Sequence, residues 1–335
     1  MKKIYLILEN SHYFADHIKF GKVDIKKIIA YFKSKDIDLN ILDLGDTNIP
    51  KDSIVFTTSS QKPYQKQLVD DYLEVLEYQN NILIPSKNII KAHENKGFQE
   101  YYKQLLNFHS LKGIYLNKHN IDYENIKNFI GYPLVLKKLD GSGSKGVQLI
   151  NTEEKLKKEI FKLQPSLHIR YLIYVKEQVK RIFLRKNNLE KIEYFRDYQN
   201  FVIQEFVSNL KFDYKVLIFF DKYYVLKRNI KENDFRASGS GNFEFVEIED
   251  SLLDYAKDTF EVFSEPFISL DICFDGEKYY LIEYQGIHFG PYTQIYSNGY
   301  YKKEYDDWKF IKEKVSLEDD ISYSLYEYIR LKKFI

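Results

Sequence analysis

The sequence predicts an α/β protein of two or three domains that opens with a small parallel-sheet layer and continues into hairpin-rich antiparallel structure. Three observations carry this expectation. The chain has 335 residues, of which 44% are hydrophobic and 17% aromatic, ample for a sizeable core at roughly 100–200 residues per domain. Its first third alternates strand-like and helix-like hydrophobic spacing, the pattern of parallel strands joined by helices. Further along, short strand-like runs come in pairs, as in β-hairpins.

In order, Ile4 to Leu8, Leu39 to Leu42 and Ile54 to Thr57 read as short strands, and Asp24 to Phe32 and Gln65 to Leu76 carry helical spacing. Pro85-Ser86 leads into Ile89 to Phe108, which reads as one helix. Gly113 to Leu116, Tyr132 to Lys138 and Val147 to Ile150 are strand candidates, followed by a helix opening at Asn151/Thr152 with Glu154 in its first turn. Residues 168–197 are basic and aromatic without strand alternation and read as a helical insertion with a solvated amphipathic face, a docking surface being the alternative. Phe201 to Phe206 is a strand. Val216 to Phe220 and Tyr223 to Lys227 flank Asp221-Lys222 as a hairpin; Ser251 to Phe263 is a helix capped by Asp250 or Ser251. A second hairpin spans Ile268 to Tyr284, and a helix from Asp319 to Lys332 follows. No internal repeat or low-complexity linker is evident.

Composition excludes several functions. Fifty Lys+Arg balance 49 Asp+Glu for a net charge of +1, so the surplus of positive charge that tracks nucleic-acid phosphates is missing. No apolar run approaches the ~20 residues a membrane-spanning helix needs, and the apolar stretch after Met1-Lys2-Lys3 is too short for a signal peptide. The single cysteine, Cys273, permits neither an internal disulfide nor a thiolate metal cluster. A reducing, cytoplasmic setting is therefore expected, with Cys273 a core residue.

Five of only 14 glycines fall within 141–146 and 239–241, where backbone approaches a ligand closely or takes positive φ. Lys137 stands on a strand just ahead of Gly141-Ser142-Gly143-Ser144-Lys145-Gly146. Amides and hydroxyls of such a loop can converge on phosphate oxygens while a lysine supplies charge; for the loop alone, a surface hairpin is the alternative. A Walker A loop would require Gly-Lys-Ser/Thr opening a helix, which is not present here. Further along come Val202-Ile203-Gln204-Glu205-Phe206-Val207, Asp213-Tyr214-Lys215-Val216, Lys227-Arg228, Asp234 to Asn242 with Arg236, and Leu270-Asp271 followed by Glu283-Tyr284-Gln285.

In this order and spacing the set resembles the ATP-grasp superfamily on its carboxylate–amine ligase side, over essentially the whole chain, including His93-Glu94-Asn95-Lys96. The resemblance implies an N-terminal α/β domain (1–92), a mobile α+β lid (93–205) carrying the 168–197 insertion, and a C-terminal antiparallel-sheet domain (206–335), with ATP clasped between the last two. It implies that Lys96 and Lys137 hold the nucleotide phosphates, with Lys227 also at the cofactor, under the flap of Gly141, Ser142, Gly143 and Ser144. Gln204, Glu205 and Val207 match the adenine-reading hinge and Asp213 the ribose position. Arg236 matches the arginine facing the transferred phosphoryl group, and with Lys137 forms the catalytic pair. Asp271, Glu283 and Gln285 match the metal ligands, for two Mg²⁺ or for Mn²⁺ in their place. Ser238 and His288 are candidate substrate contacts, a structural role being the alternative for His288, and His93 reads as a residue of the helix start. Gln285 departs from the usual asparagine, and Lys138 stands where proline is common.

The implied activity is ATP-dependent ligation of a small-molecule carboxylate to an amine through an acyl phosphate. Similar ligases act on peptides, amino acids and cell-surface sugar acids, the last being the favoured acceptor. A nucleotide-binding scaffold and a kinase are the alternatives, and a homodimer is left open. Hairpin arithmetic constrains the metal assignment. A two-residue Asp275-Gly276 turn would set Asp271 opposite Tyr280; direct opposition of Asp271 and Glu283 needs a loop centred on Glu277, of three or five residues. Directly opposed carboxylates repel unless a cation lies between them. Gln285 shares the face of Glu283. Solvated residues on an edge hairpin are the alternative.

Overall fold

The computed structural model describes residues 2–13, 23–60, 62–107, 109–118, 121–139, 146–163, 169–185, 200–230, 235–236 and 242–335. Residues 1–111 and 207–335 form one compact unit and residues 112–206 a second. The sequence-based boundary at 92/93 is thus drawn differently by compactness. Residues just beyond it are tied to the C-terminal sheet: Gln99 donates to the carbonyls of Ala92 (3.0 Å) and Tyr284 (3.1 Å).

In the first unit, β1 (Ile4–Leu8), α1 (Ile25–Lys33), β2 (Leu39–Asp43), β3 (Ile54–Phe56), α2 (Pro63–Tyr78) and β4 (Ile82–Ile84) build an all-parallel sheet of order β2-β1-β3-β4. The alternation expected here holds, with β4 added. The single helix expected from Ile89 to Phe108 is instead two, α3 (Lys87–Ala92) and α4 (Lys96–Leu106). Glu94 takes a left-handed φ of 48°, which breaks the first helix, and the Asn95 side chain accepts from Phe98 N (3.1 Å) to start the second.

The rest of this unit is a seven-stranded sheet. β9 (Phe212–Phe219), β10 (Lys222–Asn229), β12 (Phe267–Phe274), β13 (Tyr279–Gln285), β14 (Tyr300–Glu304) and β15 (Asp307–Ile311) follow the order β13-β12-β9-β10-β14-β15, with β11 (Phe243–Glu244) pairing β10. Helices α8 (Asp250–Phe263), α9 (Tyr292–Tyr296) and α10 (Leu317–Leu331) accompany it. The N-cap of α8 is Glu249, without a side-chain capping bond, rather than Asp250 or Ser251. Side chains alternate across the sheet. On one face Val216, Ile218, Val225, Ile268, Leu270 and Tyr284 form a core with Leu252, Leu253 and Ala256 of α8. On the other, Leu217, Phe219, Tyr224 and Phe267 join the core of the parallel sheet and of α10. That second face is apolar at one end only, and its other end carries the charges described below.

The second unit holds β5 (Gly113–Leu116), α5 (Tyr123–Phe129), β6 (Leu134–Lys138), β7 (Val147–Ile150), α6 (Glu153–Lys162), α7 (Ile169–Leu184) and β8 (Phe201–Glu205). Its antiparallel sheet has the order β5-β8-β6-β7. Ile126, Leu134, Leu136, Ile150, Leu156, Ile160, Phe201 and Ile203 form its core. Thr152 caps α6 by accepting from Lys155 N (3.3 Å), as its sequence indicates. Of the 168–197 insertion, α7 is helical; residues 186–199 lie outside the described part.

Candidate active site

Asp271 and Glu283 are direct cross-strand partners on β12 and β13, and Gln285 pairs Ser269 on the same face. The loop is not centred on Glu277, as the sequence arithmetic required. Phe274 pairs Tyr279 and Asp275 N donates to Lys278 O (3.2 Å), so the turn is centred between Gly276 and Glu277. Asp275 Oδ1 accepts from Glu277 N and Lys278 N, both at 2.8 Å, and Gly276 has φ +108°, where a side chain would be strained. A β-bulge restores the opposition: Ile272 pairs Leu281, Asp271 pairs Glu283, and Ile282 is the extra residue.

Around this pair the sheet gathers further charges. β9 pairs β10 with Asp213 opposite Arg228, and β12 with Lys215 opposite Asp271. Arg228 donates through Nε to Asp213 Oδ1 (2.6 Å) and through Nη2 to Asp213 Oδ2 (2.8 Å) and Asp271 Oδ2 (2.9 Å). Lys215 Nζ lies 3.8 Å from Asp271 Oδ1. Lys96 Nζ, from the first residue of α4, lies 3.8 Å from Glu283 Oε1. Three carboxylates thus face three cations from five elements. Burial pushes the Asp213 carboxyl up to about 6 against the pull of Arg228, with Asp271 adding to the rise, and burial pushes the Lys215 ammonium down. The repulsion expected between Asp271 and Glu283 is compensated by side chains.

Arg228 and Lys215 lie within the sequence motifs noted above, yet no role was expected for either. The missed signal is the turn. An Asp221-Lys222 turn would oppose Arg228 to Lys215; the actual turn is Phe220-Asp221, with Phe220 at φ 57° and Phe219 paired to Lys222. That register sets Arg228 against a carboxylate.

The remaining expected residues divide. Arg228 engages both carboxylate oxygens of Asp213. Lys227 lies on the opposite face from Arg228, its ammonium 4.4 Å from the centre of the Phe212 ring, so it is not brought to the cluster. His288 is buried with φ 50°, Nε2 2.8 Å from Ser59 O and its ring 4.9 Å from that of His93. Burial pushes His288 down to about 4 and His93 to about 2. The His288 side chain is thus packed in the interior beside Ser59 and His93. Cys273 is buried as expected.

In the second unit, Lys137 is buried on β6 opposite Val202 and Val147. Gln204 is buried on β8, and the Glu205 carboxylate accepts from Lys112 N (3.2 Å) while Glu205 N donates to Lys112 O (2.9 Å). Val207 follows in the first unit. Arg236 is half-buried with its guanidinium 5.6 Å over the Phe235 ring. Gly141, Ser142, Gly143, Ser144 and Ser238 lie outside the described residues, as do Gly239, Ser240 and Gly241. Gly146 has φ +80°, and a Cβ there would come within 3.0 Å of the Lys138 side chain. Among the described residues no group of three or more His, Cys, Asp or Glu is placed to hold a metal, and no helix is long and apolar enough to cross a membrane.

No protein-family model and no curated protein matches the sequence. Solved structures do match in fold. D-cycloserine synthetase DcsG aligns with a TM-score of 0.54 at 9% identity, covering 98% of this chain and 99% of that one. D-alanine–D-alanine ligase from Bacillus anthracis gives 0.52 at 10% identity, covering 100% and 99%. The ATP-grasp ligase PsnB, complexed with a minimal precursor, gives 0.51 at 12% identity, covering 98% and 99%. A likeness that spans both chains nearly end to end, with the strand orders described above, establishes the architecture: this chain has the fold of the ATP-grasp ligases.

Proposed function

We propose that the protein is an ATP-dependent ligase that joins a carboxylate to an amine through an acyl phosphate. The observation that carries this reading is the opposed Asp271–Glu283 pair, set by a bulge among Arg228, Lys215 and Lys96 on a fold shared with proteins named as ligases. Two carboxylates and the Gln285 amide on one sheet face are hard oxygen donors of the kind that hold Mg²⁺ or Mn²⁺. The donor chemistry fits as part of a site. Mg²⁺ characteristically takes one or two carboxylates and completes its shell with phosphate and water, which favours an ion arriving with nucleotide over one bound alone. Mg²⁺ supplies charge neutralisation to the phosphate oxygens when bound.

The residues act as follows in this reading. A carboxylate has no adequate leaving group, so a carboxylate oxygen attacks the γ-phosphorus and ADP departs. The amine then attacks the acyl carbon, phosphate leaves, and the amine proton passes to solvent or base. Lys96 and Lys137 hold phosphate oxygens, Arg236 faces the transferring phosphoryl group, and their charges stabilise what accumulates on its equatorial oxygens. Arg228 fixes the orientation of Asp271. The backbone at Gln204, Glu205 and Val207 meets the adenine.

One observation favours a second reading, a nucleotide-binding protein without turnover: both carboxylates already have protein cations beside them. Hydroxylamine with ATP, Mg²⁺ and a panel of amino acids, peptides and sugar acids separates the two. Hydroxamate and ADP formed with one carboxylate support the ligase and identify the acceptor class. A stable phosphorylated product indicates a kinase. Nucleotide binding without turnover across the panel supports the second reading.

A further inference from the structure

Helix α7 is unlike the other helices of its unit. Leu172, Val175, Val179, Ile182 and Phe183 repeat at intervals of three, four, three and one, which places them within an arc of about 100° on one side. All are exposed, Leu172 by 58%, Ile182 by 67% and Phe183 by 78%. Among the described residues of its unit, no strand or helix runs closely alongside α7, and the stripe is exposed along its length.

The charges are equally one-sided. From 172 to 185 the chain carries Lys176, Lys180, Arg181 and Arg185 against one acid, Glu177. Glu177 is buried and paired with Lys180 at 2.8 Å. In a chain of net charge +1 this is a local concentration of positive charge, and Lys176 stands at the border of the apolar stripe. Two copies of this helix would bring like charges together, which disfavours self-association through it. A peptide partner typically needs a groove or a free strand edge. A flat anionic surface that accepts apolar side chains between its charges meets both constraints.

We infer that α7 is an interfacial helix that seats the protein on anionic phospholipid bilayers, burying Leu172, Val175, Val179, Ile182 and Phe183 at the headgroup boundary with Lys176, at the border of the stripe, against lipid phosphates. Such binding scales with buried apolar area and with attraction to anionic lipid, and salt weakens it. The inference is independent of the ligase reading.

The test is flotation of the full chain with vesicles of phosphatidylcholine alone and of phosphatidylcholine with about one-third phosphatidylglycerol. Binding to the anionic vesicles alone, weakened by raising NaCl to about 0.5 M, is expected. The Val175→Glu/Ile182→Glu double substitution, on exposed positions, should abolish it, and Lys176→Glu should lower the partition coefficient about fivefold or more. Circular dichroism and melting of both variants matching the parent would show that the fold is retained. Three results overturn the inference: no enrichment on anionic vesicles; binding that survives Val175→Glu/Ile182→Glu and is reproduced by polyglutamate-coated beads, which would make it polyanion attraction; or a concentration-dependent dimer that this double substitution dissolves while vesicles bind nothing.

Discussion

Replacing Arg228 by methionine isolates the charge cluster. The guanidinium makes two bonds to Asp213, at 2.6 and 2.8 Å, and one to Asp271 at 2.9 Å, and both Arg228 and Asp213 are buried. Methionine fills much of the same volume but strands Asp213; Asp271 keeps Lys215 at 3.8 Å. The loss is therefore that of one broken buried pair, about 3–5 kcal/mol at pH 8. Burial raises the folded Asp213 pKa to about 6, above its unfolded value near 3.9. A raised folded pKa makes this group's contribution complete below about pH 4 and lost as pH rises through about 6. A carboxyl held above its ordinary range takes up a proton sooner as pH falls, so the cost of removing its counter-charge is smaller at pH 5 than at pH 8. Urea unfolding of parent and variant at pH 5 and pH 8 reads both quantities, and Arg228→Met/Asp213→Asn should recover most of the loss. A cost under about 1 kcal/mol at pH 8, or the same cost at both pH values, would refute the reasoning.

Other outcomes follow from single sites. Gly286→Ala should lower the melting temperature by the equivalent of about 1–3 kcal/mol, because the added Cβ would come within 1.9 Å of Ile89 Cγ2 on a stiff β-branched side chain; adding Ile89→Ala should restore part of it. Burial raises the Glu265 carboxyl to about 7 while it accepts from Ser86 N at 3.0 Å. Its contribution is complete below about pH 4 and lost through about pH 7, on the order of 3 kcal/mol. Glu265→Gln should flatten that slope in a pH series of denaturation curves, whereas an unchanged slope would assign it to other groups. If the ligase reading holds, Arg236→Ala should reduce turnover by about 10³ with a smaller effect on ATP affinity, and equal losses in both would make it an ordinary ground-state contact. Glu283→Gln should abolish turnover at saturating ATP, since an amide is a poorer metal ligand than a carboxylate; retained hydroxamate formation would remove Glu283 from the site.

The sequence by itself determined the layers. Apolar periodicity marks Ile4 to Leu8, Leu39 to Leu42 and Ile54 to Thr57 as strands separated by helices, within a residue of the observed parallel strands, and local rules set Thr152 as a cap, because each depends on residues within a few positions. It also indicated that Asp271 and Glu283 are opposed, though for the wrong reason. A bulge at Ile282, rather than a loop centred on Glu277, produces the opposition. Bulges and turn positions depend on whole-sheet packing, where Ile272, Leu270 and Leu281 must all reach one core. The same dependence hid Arg228: one residue's difference in the β9–β10 turn exchanges its partner from Lys215 to Asp213. Only the tertiary structure decided that Lys227 faces away from the charge cluster, that His288 is buried against Ser59, and that Lys96 reaches Glu283. Each of these joins residues far apart in the chain, and a charge has no partner until the fold supplies one.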